Sequence, residues 1–138
     1  KTVYPRSGLN QWNAKGRKRH YNEVYIPIPS LIHVNKPDFF PEKDTTFKLR
    51  LPDGRTLKAK TCQSNRKALM TDPNKDLGEW ILREVLSLSE GEVLTYDRLS
   101  ELNIDSVRID KINTDAYEVN FTDIGTYEDW IVRNNYLK

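Results

Sequence analysis

From Thr46 to Cys62 the side chains alternate with a period of two. Phe47, Leu49 and Leu51 are apolar and interleave with Lys48 and Arg50; beyond Pro52-Asp53-Gly54, Leu57, Ala59 and Thr61 interleave with Lys58 and Lys60. Successive strand side chains point to opposite faces, so the pattern predicts a hairpin with one apolar face and one face carrying four cations. The same alternation over Val107–Ile112 and Tyr117–Phe121, joined by Asn113-Thr114-Asp115, predicts a second hairpin. Val24–Ile28 reads as a short strand, confined to an edge or an end by Pro27 and Pro29.

Helical spacing is rarer. Ser30 is placed to cap a short turn through Leu31, Ile32 and His33. Asp76 and Glu79 have capping-box spacing ahead of the stripe Leu77, Trp80, Ile81, Val85 and Leu88. Thr95 caps a further short helix ending near Asn103, with Leu94 and Leu99 stapled across the cap. Thr126 and Asp129 open a last helix carrying Trp130 and Ile131. Two stretches keep neither period, Gly8 to Glu23 and Gln63 to Lys75, and both read as long polar loops. Two hairpins with two or three short helices predict a mainly β, α+β fold: a small barrel or strongly bent sheet plugged by helices.

A length of 138 residues suits one compact domain, taken as 1–138. No apolar run approaches the ~18 residues a membrane helix needs, so no membrane partner is expected. The chain opens on Lys1 rather than methionine, which reads as a fragment of a larger protein. Cys62 is the single cysteine, which excludes an intrachain disulfide and fits a reducing, cytoplasmic setting. His20 and His33 stand in different segments without a ligand pattern, so no metal site and no cofactor is expected.

The net charge of +2 hides a division. Residues 1–88 carry 17 Lys and Arg against 9 Asp and Glu, whereas residues 89–138 carry 5 against 11. Such asymmetry points to one half facing a polyanion and one half facing something else, although a solvated surface with chance clustering gives the same count.

Catalytic patterns are missing. There is no G-x-S-x-G elbow, no phosphate-cradling glycine loop and no H-E-x-x-H. Asp72 and Asp76 are sufficiently explained by a turn before Pro73 and by helix capping, and Cys62 by core packing. No catalytic residue is therefore expected.

Recognition residues are abundant. The first loop interleaves cations, aromatics and amides in Gln11, Trp12, Asn13, Lys15, Arg17, Lys18, Arg19, His20, Tyr21, Asn22 and Glu23. The second holds Gln63, Ser64, Asn65, Arg66, Lys67, Thr71, Asp72, Asn74 and Lys75. Arg and Lys bond phosphate or guanine, Asn and Gln bond adenine, and a carboxylate accepts from cytosine N4. Asp72 and Glu23 inside basic loops suit base discrimination, and equally a turn or a local ion pair. Were both loops to project from one rim, with Lys48, Arg50, Lys58 and Lys60 nearby, they would clamp a duplex.

The ordered motifs GLNQWNA, R-x-R, YIPIP, FFP, LPDG, KAKTCQ, KALM, PN, LGEWILR and IDSV resemble the C-terminal DNA-binding domain of the NgoFVII-type restriction endonucleases, over about residues 7–132. The resemblance implies an open pseudobarrel of the plant B-three type, with seven strands and two short helices. It implies two arms, Gln11–Glu23 and Gln63–Lys75, gripping the major groove of a short specific site. It also implies a separate nuclease domain of the phospholipase D type in the parent chain, whose H-x-K motif is absent here: His20 precedes Tyr21-Asn22, and His33 precedes Val34-Asn35.

Two other functions stay open on the residues alone. Trp12, Tyr21 and Tyr25 are candidate stacking platforms of a barrel for single-stranded nucleic acid or RNA. A protein-interaction domain without nucleic-acid binding would give the acidic half equal weight. The absence of a heptad pattern makes an isolated monomer the expectation.

Overall fold

The computed structural model describes residues 25–62, 64–73, 75–89, 92 and 94–134. Among these residues the chain forms β1 (Ile26–Pro27), α1 (Ser30–Asn35), β2 (Phe47–Arg50), β3 (Thr56–Cys62) and β4 (Ala68–Thr71). Then come α2 (Lys75–Gly78), prolonged by π-helical turns over Glu79–Val85, α3 (Tyr96–Leu102), β5 (Ser106–Asn113), β6 (Ala116–Thr122) and α4 (Thr126–Arg133). The strands make one curled half-barrel sheet in the order β1-β4-β3-β2-β6-β5. The strand count among the described residues is six rather than the expected seven, and the helices number four rather than two or three.

Both sequence-read hairpins form. Phe47, Leu49, Leu51 and Ala59 are buried while Lys48, Arg50 and Lys58 are exposed, as period-two alternation requires. The turn between β2 and β3 closes with Leu51 N donating to Arg55 O at 2.8 Å, and Gly54 takes the positive φ of 94° that the tight reversal demands. β5 and β6 pair from Ser106↔Thr122 to Asn113↔Ala116, with a bulge between Lys111 and Asn113. β6 then pairs in parallel with β2, Leu49 lying opposite Tyr117, and this joins the two hairpins into one sheet. β1 is an edge strand, as its prolines require, pairing only through Ile26↔Leu69 and Pro27↔Ala68.

The concave face of the sheet closes on the helices. Leu49, Leu51, Leu69, Leu77, Ile81, Leu82, Leu86, Leu99, Tyr117 and Val119 are its fully buried side chains. Phe39, Phe40, Phe47 and Tyr117 form a ring cluster, with Phe40 stacked on Tyr117 at 5.4 Å and the Tyr117 hydroxyl donating to Phe39 O. Between the edge strands β1 and β5 the half-barrel stays open as a groove of about 480 Å³, lined among others by Ile28, Ile32, Ile109 and Trp130.

Two capping expectations change. Pro29 precedes α1 and no side chain caps it, so Ser30 is simply its first residue. α2 begins at Lys75; Leu77 N is held by Thr71 Oγ1 at 3.1 Å and Asp76 N by Pro73 O at 3.2 Å, in place of a capping box from Asp76. α4 does begin at Thr126, and the N–H groups of Gly125 before it and of Tyr127 within it are held from outside the helix by Asp105. Thr95 does cap α3, accepting from Arg98 N at 3.2 Å, and Asn103 ends that helix in the left-handed conformation. The stripe on the 75–88 segment largely holds, with Leu77, Trp80, Ile81 and Leu88 buried, and it widens. Leu86 N reaches back five residues to Ile81 O, so Leu82 and Leu86 are buried whereas Val85 is only half-buried.

Candidate nucleic-acid interface

The Gln63–Lys75 stretch is not one loop. Ala68–Thr71 is strand β4, paired to β3 from Cys62↔Ala68 to Ala59↔Thr71. Leu69 and Thr71 are buried, and two alternating positions among polar neighbours left no visible period. The strand divides the stretch into two turns at its opposite ends, separated by roughly 15 Å at the rise of a strand.

The first turn, Ser64–Arg66, is a kinked 3₁₀ turn with Asn65 and Arg66 at positive φ. Ser64, Asn65 and Lys67 are exposed. Arg66 is drawn inward: its guanidinium donates to Phe40 O at 2.9 Å, Pro41 O at 3.3 Å and Pro37 O at 3.1 Å. His33 Nε2 donates to Arg66 O at 2.8 Å, because a carbonyl can only accept. This turn is thus stapled to the segment that carries Phe39, Phe40 and Pro41.

The second turn starts at Asp72 with a cis Asp72-Pro73 bond and leads into Lys75. Thr71 is fully buried; its hydroxyl donates to Pro73 O at 2.9 Å while accepting from Leu77 N. Asp72 is exposed, with Lys58 Nζ 3.7 Å from its Oδ2, and Lys75 is exposed without a partner among the described residues. β1 runs antiparallel to β4, so Tyr25 stands at this same end, and residues 1–24 lead off from it. Gln11, Trp12, Asn13, Lys15, Arg17, Lys18, Arg19, His20, Tyr21, Asn22 and Glu23, with Gln63 and Asn74, lie outside the described residues.

The convex face beside this end is basic. Lys48, Arg50 and Lys58 project from it exposed and Lys60 half-buried. Their carboxylate neighbours are loose and peripheral: Arg50–Glu118 at 3.9 Å, Lys58–Asp72 at 3.7 Å and Lys60–Asp44 at 3.5 Å. Exposed pairs at such distances are worth little. Alternation in the sequence located this face, but not the register that sets Lys48 directly opposite Lys58. On β6 and β5 the same face is mixed: Glu118 and Asp110 lie opposite each other, and Arg108 pairs with Asp110 at 3.1 Å.

Burial pushes the Cys62 thiol up from its ordinary value, with the nearby Lys60 charge opposing the shift, which suits a packed and unreactive thiol. The described residues contain no group of three or more His, Cys, Asp and Glu side chains able to hold a metal ion. They contain no helix long and apolar enough to cross a membrane.

The described residues thus form a curled half-barrel with a basic convex face and polar turns at the strand ends. The chain matches the NgoFVII C-terminal B3-like DNA-binding domain over residues 1–113, and it belongs to that family. The match ends at the turn between β5 and β6, so β6 and α4 lie beyond it. No curated protein matches the chain.

Proposed function

We propose that this domain recognises a short double-stranded DNA sequence and serves as the specificity module of a restriction endonuclease. Membership of a DNA-binding family carries the reading. In it, Gln11–Glu23 and the second stretch enter the major groove as two arms, the latter through its turns at Ser64–Lys67 and Asp72–Lys75. The chain acts as a monomer and cuts nothing itself; cleavage belongs to a phospholipase D-like domain elsewhere in the parent protein. Tyr25 stands at the same end of β4 as Asp72, which supports an approach of the first arm to the Asp72 turn; the Ser64–Lys67 turn stands at the far end of β4.

Selection from random duplexes tests this directly. An enriched motif bound about 10³-fold or more above random sequence is expected. A pool that returns no motif overturns the reading. Competition with single strands of the selected sequence should leave the complex intact, since the grooves read exist only in the duplex.

A further inference from the structure

The register of β2 against β3 sets Lys48 directly opposite Lys58 on the convex face. Directly opposed strand residues have Cβ atoms about 5 Å apart, and like charges there destabilise a sheet. The Lys48 ammonium has no partner among the described residues, and the Lys58 ammonium has only exposed Asp72 at 3.7 Å. Beneath them Leu49 and Leu57 pair in the same register and fix the two backbones. The repulsion is therefore built in, and an anion between the two ammonium groups would relieve it.

We propose that the Lys48–Lys58 pair is a backbone-phosphate clamp for the duplex read by the arms; the inference rests on the DNA-binding reading above. Arg50 and Lys60 flank the pair on the same face and extend it along the strands. The strip has a border. Arg50 lies opposite Glu118, and Glu118 opposite Asp110, so the run of cations ends at β6 and the face becomes mixed, with Arg108 beside Asp110. A polyanion is attracted over β3 and β2 and gains less over β6 and β5, where Arg108 is already paired to Asp110 at 3.1 Å. The duplex thus lies across the half of the sheet that adjoins β4 and its Asp72 turn, where Asp72 is displaced from Lys58 as phosphate takes its place.

The clamp makes a paired prediction that a solvated lysine face does not. Relieving the repulsion should leave the free protein equally or more stable while weakening its complex. The test compares wild type, K48Q/K58Q, K48R/K58R and R133Q, a cation on α4 away from the sheet. Affinity for a mixed-sequence duplex and for the selected duplex is followed against salt. The double glutamine variant should lower the log–log salt slope by about 1 for each lysine that holds phosphate. It should weaken both duplexes alike, keeping their ratio, with no drop in melting temperature. The arginine variant should retain the wild-type slope. A slope for K48Q/K58Q no lower than that of R133Q would overturn the clamp, as would a fall in its melting temperature. Wild type that binds neither duplex at low salt overturns the DNA-binding reading itself, a separate outcome.

Discussion

Two threonines on neighbouring strands show how far a residue's meaning depends on its surroundings. Thr71 is a polar residue inside a basic stretch and reads as a DNA contact, yet its hydroxyl is buried and doubly bonded at the start of α2. Thr61, inward-facing on β3, is equally buried, and its hydroxyl has no partner among the described residues. The same substitution should act in opposite directions. Thr71→Val should cost about 1–2 kcal/mol by leaving Leu77 N–H unmet, and Thr61→Val should be neutral or stabilise by up to about 1 kcal/mol. Denaturant unfolding of the two variants checks both signs. Asp105 within the IDSV motif is the larger case. Its carboxylate is buried and accepts from the Ser106 and Thr122 hydroxyls at 3.2 and 3.0 Å and from Gly125 and Tyr127 N–H at 2.9 and 3.0 Å. Asp105→Asn should cost about 1.5–3 kcal/mol in unfolding experiments, because it removes the charge that strengthens the bonds from the Gly125 and Tyr127 N–H groups and sets an NH2 against hydroxyls that now donate to the carboxylate. Arg66 carries the same lesson: Arg66→Ala removes three carbonyl partners, so a melting curve must accompany any affinity measured on it.

At the scale of elements, the hairpins were legible and the helices only partly so. Alternation over Phe47–Arg50 and Thr56–Cys62 fixes which face is buried, because a strand side chain has just two directions. The 75–88 segment kept its position and most of its stripe, but the burial of Leu82 and Leu86 was not legible, since the five-residue reach of Leu86 N to Ile81 O has no signature in a stripe of Leu, Ile and Trp. β4 was missed for the opposite reason: four residues with two inward side chains are too short for a period. Thr95 remained readable because a cap is a local bond. Thr95→Ala should lower stability by about 1 kcal/mol, measurable by thermal unfolding, with duplex affinity at a permissive temperature unchanged.

For the whole molecule, charge and burial set the responses to solution conditions. Burial raises both the Cys62 thiol and the Tyr117 phenol above their ordinary values of 9.0 and 10.0. The folded chain then binds more protons than the unfolded chain at alkaline pH, so unfolding free energy must fall as pH rises. Stability should be flat below about pH 8 with respect to these groups and decline beyond the ordinary thiol value, checked by melting temperature against pH. A melting temperature that rises between pH 9 and 11 would contradict the burial of both groups.

The sequence by itself determined the local rules: two hairpins, an edge strand held there by Pro27 and Pro29, a capped α3, and a chain divided into a basic and an acidic part. Its ordered motifs also carried the family likeness that the match over residues 1–113 bears out. These depend on neighbours within a few residues, which is the range over which period and capping act. Tertiary structure alone decided which distant groups meet. It turned Arg66 toward the 37–41 carbonyls, spent Thr71 on a helix start, and made Asp105 hold α4 from twenty residues away. It also set Lys48 against Lys58, because register is fixed by pairing across the sheet and not by either strand alone.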